Sequence, residues 1–292
     1  MSLYCYNEAC TKDFLNLEND IVYAKKAGFD LIEIRFDCLD EYLKNNKLSD
    51  LKKLLAENNL KPHALNAVYI YPEFLTDKDE ENKSYELKRR LSLVSQCHKE
   101  VGIDKCIVVA PLLDDASFCK NYSREDIRQS CIRILSFLSH NYPQIQWIFE
   151  PVGLTRSLVR DADFAYEIVK NVDEDNVGIV LDSYNLYLKN RDCKYDFNKI
   201  SGKKVFAIHL MNGVLVPDSE NIIDQRYRRF CDDGNAIDIP AFLNALSAIK
   251  YDGMISTEVF NRDYSIRFNQ EDIVKRAFYS LSHALKNYVN ML

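Results

Sequence analysis

The sequence has no Cys-x-x-Cys pair. Its nine cysteines stand scattered at 5, 10, 38, 97, 106, 119, 131, 193 and 231, so neither a zinc ribbon nor a thioredoxin-like redox site is signalled. Their odd number fits poorly with a full disulfide framework, and a chain of 292 residues can bury a core that needs no covalent staples. No apolar run approaches the length of a membrane span. Near the start, Asn7, Glu8, Lys12 and Asp13 break up the apolar residues, so no signal peptide is read there. These absences predict a reduced, cytoplasmic protein. Positive charge is not in excess: 38 Lys+Arg face 44 Asp+Glu, for a net charge of −6. That balance argues against nucleic acid as the main partner, while leaving room for a local basic patch. No linker, low-complexity segment or Pro/Gly-rich stretch divides the chain, so a single domain over 1–292 is expected.

What is present is alternation. Hydrophobic residues make up 47% and charged residues 28%, the balance of a globular protein. Short β-type runs at 3–6, 31–35, 62–66, 106–110, 145–150, 178–182, 205–209 and 254–258 are separated by amphipathic helix-type runs. Several of the β-type runs are nearly continuous in apolar residues, as strands buried on both faces are. Ser49 is expected to cap a helix whose buried face carries Leu51, Leu54 and Leu55. Asp238 is expected to cap one that begins Ile239-Pro240 and buries Phe242, Leu243, Leu246 and Ile249. Gly28 and Gly253 each precede a strand, where a helix end calls for positive φ. Eight strand–helix units in one chain point to an α/β fold, a closed (β/α)8 TIM barrel without sheet edges. Two connections, about 69–83 and 211–237, are long enough to read as lids or binding loops.

In such a barrel, catalytic groups stand where strands end. Four consecutive runs end in Glu150, Asp182, His209 and Glu258. Each alone reads as a solvated or paired rim residue. Together, on adjacent strands at one level, they read as the ligands of one divalent metal ion. Three carboxylates and an imidazole suit Mn²⁺, Mg²⁺ or Co²⁺ and can also hold Zn²⁺. A metal held there acidifies a C–H next to a carbonyl, and Glu150 and Glu258, on non-adjacent strands, can then move a proton through an enediolate.

These residues lie in a longer pattern. Tyr6-Asn7-Glu8-Ala9, Ile32-Glu33-Ile34-Arg35, Ala64-Leu65-Asn66-Ala67, Asn176 through Ser183, Gly234 through Asp238 and Ser256-Thr257-Glu258-Val259-Phe260 resemble the xylose-isomerase-like barrel superfamily of sugar isomerases and epimerases. Within it the sequence is most similar to the inosose (2-keto-myo-inositol) isomerases of bacterial inositol catabolism. The resemblance covers essentially the whole chain. It implies a carbohydrate-metabolising isomerase whose metal ligands are Glu150, Asp182, His209 and Glu258, and whose substrate is a polyhydroxy ketone such as inosose. Three departures from the family pattern stand out: Asn185 where a His is usual, Asn212 where an Asp is usual, and Arg228-Arg229-Phe230-Cys231-Asp232-Asp233-Gly234 where an Arg leads into Pro-Gly-x-Gly.

Asn66, Asn185, Arg228 and Arg229 are the candidate substrate-binding residues, with Arg228 and Arg229 favoured over Arg226 because the family's arginine lies close to the glycine. Arg35 ends a strand at the same rim but is expected to pair with Glu33 or Asp37. His63 is expected to be packed and hydrogen-bonded, and His98, His140 and His283 to be structural. Trp147 and most tyrosines read as core or pocket wall, while Tyr69, Tyr71 and Phe74 are candidates to cover a sugar ring. Three alternatives stay open: a sugar epimerase using the same two glutamates; a metal- and sugar-binding protein without turnover, suggested by Asn185 and Asn212; and an apurinic-site endonuclease, disfavoured by five His and the negative charge. The expected partner is a small polyol or ketose, not nucleic acid or membrane, and a homo-oligomer is left open.

Overall fold

The computed structural model describes residues 4–70, 81–215 and 225–286. Among them, strands β1 (Tyr4–Asn7), β2 (Leu31–Arg35), β3 (Lys61–Tyr69), β4 (Lys105–Val109), β5 (Gln146–Glu150), β6 (Val177–Asp182) and β7 (Val205–His209) run parallel and close on β10 (Ile255–Thr257), in the order β1-β10-β7-β6-β5-β4-β3-β2. The expected (β/α)8 barrel is therefore present. β2 and β7 have the expected bounds, β3 runs on to Tyr69, and β10 stops one residue before Glu258.

The strand period explains what points inward. Cys5, Leu31, Ile107, Ile148, Val180, Ala207 and Met254 pack on one another inside the barrel, and alternate residues such as Trp147, Phe149, Ile179 and Leu181 face the helices. Side chains two residues apart on a strand share a face. Glu150 therefore follows Ile148 inward, Asp182 follows Val180, and His209 follows Ala207. By the same step Asn7 follows Cys5, and Glu33 follows Leu31.

The helices that cover the barrel include α1 (Leu17–Ala27), α2 (Phe36–Tyr42), α3 (Leu48–Glu57), α4 (Glu81–Val101), α5 (Arg124–Asn141), α6 (Ala162–Val172), α7 (Ser183–Lys189), α8 (Ile239–Ala248), α9 (Arg262–Arg267) and α10 (Gln270–Leu285). Their ends follow local chemistry. Asn16 caps α1 through Asn19 N–H, and Gly28 ends it at φ 114°, a conformation glycine adopts without steric cost. Asp238 caps α8 by accepting from Ala241 N–H, as expected. Two expectations are corrected. α3 begins one residue before Ser49, and its start is held by Lys47, whose backbone N–H donates to Asp50 Oδ2 at 2.8 Å. After α8 the left-handed residue is Lys250, at φ 57°, and not Gly253.

The connection after β7 holds a short antiparallel ladder where the sequence predicts only loop. β8 (Asn212–Gly213) pairs with β9 (Arg228–Arg229), Asn212 opposite Arg229 and Gly213 opposite Arg228. The middle of this connection, like that of the one after β3, lies outside the described residues; Tyr71 and Phe74 fall there. No described helix is long and apolar enough to cross a membrane.

Candidate metal centre

Glu150 ends β5, Asp182 ends β6, His209 ends β7, and Glu258 follows β10. Ladder pairing brings Asp182 level with His209, while His209 pairs with Ser256, two residues before Glu258. All four side chains are buried, and one potential ligand atom from each lies within 4.8 Å of the others. A single ion with bonds of about 2 Å would draw these atoms somewhat closer together. His209 Nδ1 lies 3.4 Å from Glu258 Oε2 and 3.9 Å from Asp182 Oδ2, and it is buried with no hydrogen-bond partner.

Carboxylates this close and this buried perturb one another. Burial first, and then the negative charges of Glu258 and Asp182, push Glu150 well above the usual carboxylate range. Burial also raises Asp182, against the pull of Arg228. Glu258 goes the other way. Burial opposes its charge, but His209, Arg228 and the Asn66 amide together hold it at about 2. Burial likewise disfavours a charged His209, and the facing Glu33 and Glu258 override it, so its proton affinity is well above ordinary. The centre therefore attracts positive charge.

The xylose isomerase-like TIM barrel family model matches residues 21–282. The chain belongs to that family. Its relatives include the inosose isomerase of Bacillus velezensis (strain DSM 23117 / BGSC 10A6 / LMG 26770 / FZB42), 31% identical over 280 residues, which are 94% of this chain and 93% of that one. The inosose isomerase of Bacillus subtilis (strain 168) is 31% identical over 294 residues, covering 98% and 99%. Among solved structures, the IOLI protein crystallised with a zinc atom superposes with a TM-score of 0.86 at 29% identity, covering 98% of this chain and 99% of that one.

Family membership frames the remaining candidates. Asn66 Nδ2 donates to Glu258 Oε1 at 3.0 Å. Asn185, where the family usually has a His, donates from Nδ2 to Glu150 Oε1 at 3.0 Å, while its backbone N–H caps onto Asp182 Oδ1 at 2.7 Å. Asn212, where the family usually has an Asp, faces its own loop: Oδ1 accepts from Gly213 and Ile237 N–H, and Nδ2 donates to the carbonyls of Cys231 and Ile237. Arg228 is buried. Its Nη1 reaches Asp182 Oδ2 at 3.1 Å, the Glu258 carbonyl at 3.0 Å and Met211 Sδ at 2.8 Å, and its guanidinium lies over the Tyr184 ring at 4.8 Å. Arg229 instead bonds to backbone, through the carbonyls of Arg228 (2.9 Å) and Arg226. Arg226 is exposed. Arg35 pairs bidentately with Asp37, at 2.9 and 2.8 Å, and not with Glu33.

His140 binds Glu174 at 2.8 Å, and His283 stacks on Tyr279. His98 leaves a buried Nδ1 without a partner. His63 is packed as expected, but its Nε2 also has no hydrogen-bond partner, and burial lowers it to about 4, so it is neutral. Trp147 is core. Sequence reasoning passed over Glu33 and Asn7. Glu33 is fully buried at the heart of the rim, where His209 Nε2 lies 3.1 Å from its Oε2 and Asn7 Nδ2 donates to it at 2.5 Å. The available signal was strand parity: a carboxylate on the inward face of an otherwise apolar strand needs a partner.

Proposed function

We propose that the chain is a divalent-metal-dependent isomerase of a polyhydroxy ketone such as inosose, and that it moves a proton between Glu150 and Glu258 through an enediolate. The observation that carries this reading is the convergence of Glu150, Asp182, His209 and Glu258 within 4.8 Å at one end of the barrel. The donor set fits a metal. His209 Nδ1 is buried without a hydrogen-bond partner, and an imidazole nitrogen there, together with three buried carboxylates, suits a hard or borderline divalent ion such as Mn²⁺, Mg²⁺, Co²⁺ or Zn²⁺. When bound, such an ion polarises a substrate carbonyl and so acidifies the adjoining C–H.

The chain's own residues supply the rest. Asn66 steadies Glu258 through Oε1, and Asn185 steadies Glu150 through Oε1, so each carboxylate is held by an amide that neither adds nor removes charge. Arg228 offsets part of the negative charge through Asp182. A cavity of about 250 Å³ adjoins Asn66, walled by Phe36 and Tyr69 and by Arg35, Asp37, Glu86 and Arg90. Each arginine there is already paired, Arg35 with Asp37 and Arg90 with Glu86 and Asp40. A wall with balanced charge suits a neutral polyol better than a sugar phosphate, which would ask for unpaired cations.

Three measurements test this. The purified chain should hold one divalent ion, and the double variant Glu150→Ala/His209→Ala should lose it; unchanged metal content in that variant sinks the ligand assignment. Glu258→Gln should abolish turnover with the fold intact. In deuterated water with Mn²⁺ added, inososes and common ketoses should take up deuterium at the carbon next to the carbonyl. No conversion of any candidate would favour a binding protein instead.

A further inference from the structure

Glu33 is a carboxylate at the centre with no part in the reaction above. It sits in the middle of β2 with no solvent exposure. Its Oε2 accepts from Asn7 Nδ2 at 2.5 Å and from Ser256 Oγ at 3.2 Å, and both of its oxygens lie within reach of His209 Nε2, at 3.1 and 3.3 Å. Asn7 Nδ2 also lies 3.4 Å from Glu258 Oε1, so Glu33 is tied to β1, β7 and the end of β10 at once. A buried acid with three converging donors is fixed in place.

A neutral imidazole has one N–H and one lone pair. If Nε2 carries the proton and gives it to Glu33, the lone pair is on Nδ1. Nδ1 is the atom that has no hydrogen-bond partner and lies between Asp182 Oδ2 and Glu258 Oε2. We propose that Glu33 is the positioning residue of the centre: it holds His209 as the Nε2–H tautomer, aims Nδ1 at the converging carboxylates, and so sets how tightly a divalent ion is held there. Ser256 and Asn7 act through Glu33 by fixing its carboxylate. This rests on the metal-centre reading given above. A carboxylate behind a ligating histidine orients the ring and raises its basicity, and removing such a partner typically weakens metal affinity about 10–100-fold.

The test uses the full chain and Zn²⁺ as probe, titrated against a chromophoric chelator, in wild type and Glu33→Gln. Wild type should bind and Glu33→Gln should bind about 10–100-fold more weakly. A long-range ¹H–¹⁵N spectrum of the Zn²⁺-loaded wild type supplies a readout that a merely structural role would not move. It should show His209, assigned by its loss in His209→Gln, with a protonated Nε2 and a ligating Nδ1. Equal affinity in wild type and Glu33→Gln overturns the role of Glu33 and leaves the metal centre standing. Ligation through Nε2 overturns it equally, and decides the matter even where Glu33→Gln does not fold. A wild type that takes up no Zn²⁺ overturns both this role and the metal centre beneath it.

Discussion

Glu8 and Asp20 are two acids that share one buried environment behind the rim. Glu8 Oε2 accepts from Arg35 N–H at 2.7 Å, and Asp20 Oδ1 accepts from Thr11 Oγ1 at 2.7 Å and Tyr6 Oη at 3.3 Å. Their other oxygens, Glu8 Oε1 and Asp20 Oδ2, are buried with no well-formed partner. Burial drives both upward, Glu8 well above its usual range and Asp20 from 3.8 to about 7. A folded-state acid with a raised value keeps a proton that the unfolded chain has already released. Stability is therefore lost as pH climbs from about 4 to about 7 and stays lower above that. Asp20→Asn removes the Asp20 part of this slope, keeps an acceptor for Thr11 and Tyr6, and offers an N–H toward Glu8. The variant should gain on wild type between pH 5 and pH 8 by about 3 kcal/mol, since about two tenfold steps in proton affinity lie between pH 5 and the folded value of about 7 and each is worth about 1.4 kcal/mol. Urea unfolding at the two pH values measures it, and parallel profiles would count against a proton held on Asp20 in the folded chain. At this scale the sequence was only partly legible. Asn185 stood out as a departure, but its bond to Glu150 comes from strands and helices meeting in space. Glu33 was signalled only by the parity of its strand, and Asp20 was hidden because nothing local distinguishes a buried acid on a helix from a solvated one.

Among the elements, the strand ends were readable because a period of two fixes which residue faces inward once one inward residue is known. Ile148 then commits Glu150, and Val180 commits Asp182. The ladder of β8 and β9 was not readable: with two residues on each side, it is too short to show a period. What builds it is Asn212, whose side chain makes hydrogen bonds to Gly213, Cys231 and Ile237. The amide is required because both of its Nδ2 contacts are carbonyl oxygens. Asn212→Asp, which restores the residue usual in the family, places a carboxylate against those two carbonyls. It should destabilise the chain by about 1–3 kcal/mol, the cost of leaving buried polar groups unsatisfied, and loosen the segment that delivers Arg228. Chemical denaturation reads the first effect, and protease cleavage after β7 reads the second. A variant as stable and as resistant as wild type would mean that the ladder stands without this side chain.

The barrel as a whole is a nonpolar wall with its charge gathered at one end. Glu33, Glu150, Asp182 and Glu258 are all buried there, and the facing cations are His209 and Arg228. With all four ionised, as a bound cation requires, they outnumber the two bases in a medium that screens charge poorly. The proposed ligands come from β5, β6, β7 and the residue after β10, so the unfolded chain cannot present them together. An ion that binds the folded chain alone adds its full binding free energy to stability, about 2.7 kcal/mol at a free concentration of 100 Kd. In a chain of this size that corresponds to a rise in Tm of roughly 4–5 °C. Wild type stripped with a chelator should therefore melt lower than the same protein with Mn²⁺ or Zn²⁺ restored, and the gap should widen with metal concentration. Glu150→Ala/His209→Ala should show no such gap, since it lacks two of the four donors. An equal rise in that variant would place the ion elsewhere on the surface and leave the excess negative charge at the barrel mouth to be balanced by protons alone.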